Sequence, residues 1–222
     1  MSKHLQRDLD AIEQRLLNQS AIVEQMAYCA CQSLRELSSE LVRDVMVDEE
    51  VVNRREVEIE EECLKILALH QPVAVDLRRV ATVMKINADL ERIADLAVNI
   101  GKRAQKLTGF PEFQIPDRLD RMAEIAISMI RDALDAFVRL DVAVAQEVCR
   151  RDNEVDQLNR EVISELRGSI ENRSAEIEPA LYFFSASRHI ERIGDHATNI
   201  AEDVIYLVDG EITRHRHDES IS

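Results

Sequence analysis

Glu91 and Asp95 sit four residues apart, and Glu191 and Asp195 repeat that spacing one hundred positions later. On a helix, residues at i and i+4 lie about 40° apart in projection and about 6 Å apart along the axis. Two carboxylates at that spacing repel each other by a few tenths of a kcal/mol unless something cancels the charge. Asn99 and Asn199 continue each face one turn further on. An all-oxygen set of carboxylates with carboxamide support suits a hard cation, Mg²⁺, Mn²⁺ or iron, better than zinc or copper.

The spacing is part of a longer repetition. Residues 90–100 read LERIADLAVNI and residues 190–200 read IERIGDHATNI, identical at seven of eleven positions without a gap. A second pair, Asp48-Glu49-Glu50-Val51 and Asp152-Asn153-Glu154-Val155, repeats at an offset of 104. Self-similarity at a fixed offset marks a duplicated structural unit.

These carboxylates need helices to position them, and the apolar spacing supplies helices throughout. The pattern predicts a first helix over 5–37, a short helix over 39–47 and a long second helix over 48–69. Pro72 breaks the chain before a third helix over 73–107. Gly109, Pro111 and Pro116 make residues 109–116 a linker at the midpoint. The second half repeats the plan: a helix over 117–140, a short turn of helix over 142–149, a fifth helix over 152–170 and a sixth ending near Val208. Residues 211–222 read as a polar tail. The fold class expected is all-α. Residues 1–108 and 117–210 are two three-helix units, each too thin to bury its faces alone and therefore packed on the other.

Folding the second and third helices about Pro72 brings Asp48 opposite residue 96, beside Asp95. Folding the fifth and sixth about residues 174–175 brings Asp152 opposite 197 and Asp156 opposite 193, bracketing Asp195 and Glu191. The expected cation ligands are therefore Asp48, Glu91 and Asp95 in one half and Asp152, Asp156, Glu191 and Asp195 in the other. Val52 stands where the second half has Asp156, so the second site is the more complete. The motif lies half a turn from the stripe Leu90, Ile93, Ala97, Ile100 and Ala104, which places it near the surface. The bland alternative is a solvated face of ion pairs, Arg92 with Asp95, Arg192 with Asp195 and Arg188 with Glu191, each worth little.

Other residues carry less. The run EVEIEEEC (56–63) is expected to be a solvated face with a Glu61–Lys65 pair. Asp76 with Arg78 and Arg79 reads as capping and surface pairing, and His196 points away from Asp195. His215 and His217 belong to the tail. Cys29, Cys31, Cys63 and Cys149 form no chelating pattern and read as buried small hydrophobes. There is no Gly-rich phosphate loop, G-x-S-x-G or H-E-x-x-H. No His follows a Glu by three residues, which disfavours a ferritin-like di-iron centre. A carboxylate-metal hydrolase or oxidase stays as the enzymatic alternative.

The net charge of −15 repels phosphate backbones and anionic lipid, so nucleic acid is not an expected partner. It favours docking onto basic cytoplasmic faces of membrane proteins. The opening MSKHLQRDLD has no apolar signal region and no apolar run approaches a membrane span, so a cytoplasmic location is expected.

Taken together, DLERIADLAVNI (89–100), HIERIGDHATNI (189–200), PVAVDLRRV (72–80), DEEVVNRR (48–55) and DNEVDQLN (152–159) resemble the PhoU family of phosphate-transport accessory and regulatory proteins. The resemblance covers nearly the whole chain. It implies two tandem three-helix bundles in a cytoplasmic homodimer without enzymatic activity. It also implies negative regulation of the phosphate-starvation response through the high-affinity phosphate ABC transporter and its membrane sensor histidine kinase. Some members hold iron clusters or divalent ions through E(D)-x-x-x-D motifs, which carry over onto the seven carboxylates named above. An accessory role for a low-affinity phosphate permease is the neighbouring alternative.

Overall fold

A computed structural model describes residues 3–172 and 177–210. Six helices follow one another: α1 Lys3–Glu36, α2 Ser39–His70, α3 Ala74–Leu107, α4 Arg118–Arg139, α5 Val142–Asn172 and α6 Ile177–Asp209. The expected all-α fold of two three-helix repeats is present.

Two boundaries differ from the sequence expectation. The short helices foreseen over 39–47 and 142–149 are the first turns of α2 and α5, which run on unbroken. Neither junction contains Gly or Pro. Without a residue that removes a helical hydrogen bond or favours another backbone state, a polar step such as Val47-Asp48 does not interrupt a helix.

The turns are built locally. Ser38 caps α2, its hydroxyl accepting from the Leu41 N–H at 3.4 Å. At the far end Gln71 turns left-handed (φ 45°) and its N–H donates to the Leu67 carbonyl. Pro72 then prevents continuation. Leu140 makes the same turn after α4 (φ 53°), and Asp141 caps α5 by accepting from the N–H groups of Ala143 and Val144 at 3.0 and 3.1 Å.

In cross-section α1, α3, α6 and α4 form a closed ring of neighbours, with α2 laid over the α1·α3 edge and α5 over the α4·α6 edge. The most extensive packing is α3 on α6, between the repeats rather than within one. Ile86, Leu90, Ile93 and Ile100 on α3 and Phe183, Ile190, Ile193 and Ile200 on α6 are fully or almost fully buried. The linker is tied to this centre. Phe113 meets Phe183 at a tilt with ring centroids 6.0 Å apart, Phe110 approaches Tyr182 at 6.3 Å, and Pro116 is buried.

The cysteines are free thiols. Cys29 and Cys63 are buried as the sequence indicated, whereas Cys31 and Cys149 are half-buried against the core. Desolvation pushes Cys31 and Cys63 up to about 12 and Cys149 up to about 11, so these three are protonated packing groups.

Ile93 and Ile193 occupy equivalent repeat positions and are 0% and 1% exposed. Ile93→Ala and Ile193→Ala are each expected to cost about 2–5 kcal/mol. Urea unfolding of the two variants checks this; a cost below about 1 kcal/mol at either position contradicts the packing described.

Candidate functional site

The carboxylates of the second repeat come from two antiparallel helices whose register is fixed by small contacts. A Cβ on Gly194 would stand 3.4 Å from Asp152 Oδ1 and 3.4 Å from Val155 Cγ1. The absence of a side chain at Gly194 lets α5 lie against α6 and sets Asp152 beside Asp195. One turn further along α5, Asn159 Nδ2 donates to Glu191 Oε1 at 3.5 Å. Asp152, Asp156, Glu191 and Asp195 therefore share one groove, as the hairpin register predicted.

Their electrostatics show the crowding. Burial first, then the charges of Asp195, Asp156 and Glu191, pushes Asp152 up to about 6. Asp195 is raised by loss of water around its carboxyl and then by Asp156, although much of the residue is exposed. Glu191 is raised chiefly by burial, against the opposing pull of Arg188. Glu191 is only 9% exposed, deeper than the near-surface position expected for the motif. Arg188, one turn before it, pairs with Glu191 Oε1, while Glu191 Oε2 and Asn159 Oδ1 are buried without a hydrogen-bond partner.

Asn159 was not singled out from the sequence as a ligand. It lies three residues after Asp156 and seven after Asp152, on the same helix face, and that spacing was the available signal.

The first repeat departs from this arrangement. Asn87 Nδ2 donates to the Glu56 carbonyl at 2.9 Å and Gly101 faces Val42, a register that sets Asp48 level with Asp95. Asp48 is raised by burial and by Asp44 on its own helix, and Asp95 is not among the charges acting on it. Val52 is fully buried core. Glu91 is raised by burial, then by Asp95, with Glu56 also contributing. Arg92 spans this pair, 3.4 Å from Glu91 and 3.5 Å from Asp95. Arg92 thus offsets part of the charge from within the protein, and Glu56, rather than Asp48, is the further carboxylate acting on Glu91.

Among the described residues no three His, Cys, Asp or Glu side chains converge closely enough to hold a metal ion as they stand. The remaining sequence expectations sort plainly. Arg92–Asp95 and Arg188–Glu191 form, whereas Arg192 makes no ion pair with Asp195. Lys65 pairs with Glu62 at 2.8 Å instead of Glu61, which acts on it only as a weaker charge. Arg79 forms a bidentate bond to Glu13 on α1, 2.9 Å at each arm, so it is no free anion ligand. His196 does turn away from Asp195, its Nδ1 lying 2.8 Å from Asp89 Oδ1 across the α3·α6 seam. His215 and His217 lie outside the described residues.

Because Asp152 is raised in the fold, its stabilising state is the protonated one. That contribution is complete below pH 4 and is lost as pH rises through about 6. Asp152→Asn is therefore expected to stabilise the cation-free protein at pH 7.5, by about 1 kcal/mol once solvent screening is allowed for, or roughly 2–4 °C. The gain should vanish by pH 4. Thermal melts across that range check it, and a pH-independent difference contradicts it.

Comparison with known proteins followed the same outline. The PhoU domain family model matches residues 16–104 and again 119–204. The chain is 37% identical over 218 residues to a Pseudomonas putida protein named as a phosphate-specific transport system accessory protein PhoU homolog, covering 97% of this chain and 84% of the relative. It is 33% identical over 219 residues to the Escherichia coli phosphate-specific transport system accessory protein PhoU, covering 97% and 91%. The crystal structure of PhoU from Pseudomonas aeruginosa superposes with a TM-score of 0.88 at 35% identity, covering 93% of this chain and 99% of that one. A phosphate transport system regulatory protein PhoU from Streptococcus pneumoniae superposes equally well at 27% identity, covering 94% and 98%.

Proposed function

The chain belongs to the PhoU family, and on that premise we propose that it is an accessory and regulatory protein of a phosphate transport system, acting by docking rather than by catalysis. The observation that carries this reading is the match of both repeats over nearly the full length of proteins so named. It represses the phosphate-starvation response when phosphate is plentiful, through contact with the high-affinity phosphate ABC transporter and its sensor histidine kinase, as a cytoplasmic homodimer. No helix among the described residues is long and apolar enough to cross a membrane, so membrane association in this reading runs through those partners. The acidic surface suits the basic cytoplasmic faces of such proteins.

The test is functional replacement. Expression in Escherichia coli lacking its own PhoU should restore low activity of a phosphate-starvation-controlled phosphatase reporter in phosphate-rich medium. A reporter that stays derepressed, with the folded protein present, rejects the role.

Cation binding forms the second part of the proposal. In the second repeat the donor types suit a hard cation, provided the side chains draw together from their present positions: Asp152, Asp156, Glu191 and Asp195 supply carboxylates, and Asn159 Oδ1 and Glu191 Oε2 are buried oxygens lacking partners. Such an ion, Mg²⁺, Mn²⁺ or iron, would supply positive charge, and Arg188 would yield its hold on Glu191. The first repeat fits less well, since Val52 supplies no ligand and Arg92 already answers Glu91 and Asp95.

At a Mn²⁺ concentration one hundred times the dissociation constant, binding adds about 2.7 kcal/mol, roughly 5–10 °C. Glu191→Ala with Asp195→Ala should abolish that thermal shift, while Glu91→Ala with Asp95→Ala should leave most of it. Equal losses in the two variants would make the repeats equivalent.

A further inference from the structure

The antiparallel α3·α6 seam has an internal symmetry that lets its two ends be compared residue by residue. Exchanging the repeats, at the offset of one hundred, turns the contact between Lys85 and Asp203 into the contact between Arg103 and Ser185. Both contacts are present. Lys85 Nζ donates to Asp203 Oδ1 at 2.9 Å, and Arg103 Nε donates to Ser185 Oγ at 3.1 Å.

At the first end the charges are answered. Asp203, 1% exposed, holds Lys85, which also lies 5.1 Å above the Tyr206 ring. Asp89 accepts from Asn199 Nδ2 at 3.3 Å and lies 2.8 Å from His196. At the second end the positions of the two carboxylates are occupied by cationic or basic groups. Arg103 stands where the first end has Asp203, and His189 stands where it has Asp89.

No carboxylate among the described residues pairs with Arg103 there. Its guanidinium uses Nε on a neutral hydroxyl, and its terminal nitrogens bond to no side chain among the described residues. His189 Nε2 is 3.4 Å from the same Ser185 Oγ, and His189 Nδ1 is buried without a partner. Ser185, His189 and Arg192 lie at i, i+4 and i+7 on one face of α6.

Arg192, Lys102 and Lys106 also make no ion pair among the described residues. The nearby Glu178 carboxylate is engaged by the Tyr182 hydroxyl at 2.8 Å. In a chain of net charge −15, where Arg79, Arg118, Arg131 and Arg151 all hold acids, an unanswered basic cluster is a local inversion.

We infer that the Arg103–Ser185–His189–Arg192 end of the seam is a binding site for a phosphate-type oxyanion, either free phosphate or the phosphoryl group of a larger ligand. The anion supplies the negative charge that Asp203 and Asp89 supply at the other end. Arginine offers a planar fork matched to two oxygens of such a group, and serine and histidine add single donors. The inference does not depend on the acidic grooves, and it can fail while the accessory role stands.

Isothermal titration of the full chain at low ionic strength, with inorganic phosphate, phenyl phosphate and sulfate in separate arms, tests it. One saturable site is expected for phosphate or phenyl phosphate, weakened at least tenfold by Arg103→Ala and by His189→Ala. Arg92→Ala, which removes a cation already paired, should leave it unchanged. Arg103→Lys retains charge without the fork and should weaken binding severalfold in a folded protein, which separates ligand loss from misfolding. Tighter binding of inorganic phosphate identifies the free ion as ligand, and tighter binding of phenyl phosphate a phosphorylated one. Absence of saturable binding in both arms, sulfate binding as tightly as either, or indifference to both Arg103 variants overturns the inference.

Discussion

The antiparallel packing of α3 on α6 is the constraint from which the rest of the molecule follows. Each repeat alone is three amphipathic helices, and the inner helix of each is apolar on more than one side. Leu90, Ile93, Ala94, Ala97 and Val98 on α3 are buried around much of its circumference, and Ile190, Ile193, Ala197, Ala201 and Val204 on α6 likewise. Such helices need neighbours on several sides. Joining them back to back gives each its missing neighbour, and leaves α2 and α5 to cover the outer edges. The acidic grooves lie where those outer helices meet the inner ones, half wet and half enclosed. That position explains why burial leads the causes raising Asp152, Glu191 and Asp195.

Duplication supplied two copies of a frame, and the residues on it have since diverged in charge. In one groove Arg92 reaches both Glu91 and Asp95 from within. In the other, Gly194 lets Asp152 press against α6, and Arg188 satisfies only one oxygen of Glu191. Along the seam the same divergence gives one end two carboxylates with basic partners and the other end arginine and histidine with no carboxylate partner among the described residues. Burying like charges together is unfavourable. Packing alone gives no reason to place them together, and that cost is what the proposed ligands would offset.

Much of this was legible in the sequence, and the limits have physical causes. Helix identity came from apolar spacing, and hairpin register from Pro72 and the repeat, which gathered four acids in the second repeat and set Asp48 level with Asp95 without bringing their charges together. The depth of Glu191 was not legible, because it depends on Asn159 from another helix. The unbroken course of α2 through Val47 and Asp48 was missed because a polar step was read as a boundary where no breaker stands. The basic end of the seam was invisible for a different reason. Arg103 and His189 look like ordinary surface residues until the fold shows which acids their symmetry mates hold.

The linker has a kinetic consequence. Glu13 and Arg79, within one repeat, are 66 residues apart, whereas Lys85 and Asp203 are 118 apart, so chain entropy favours closing each repeat before the seam. Until then each repeat exposes an apolar face that any second repeat, from the same chain or another, can fill. Phe110 and Phe113 bias that choice. By seating the linker on Tyr182 and Phe183 of α6, they hold the chain's own second repeat at high effective concentration. Domain exchange between molecules is thereby disfavoured by the same residues that look, in the sequence, like a plain connector.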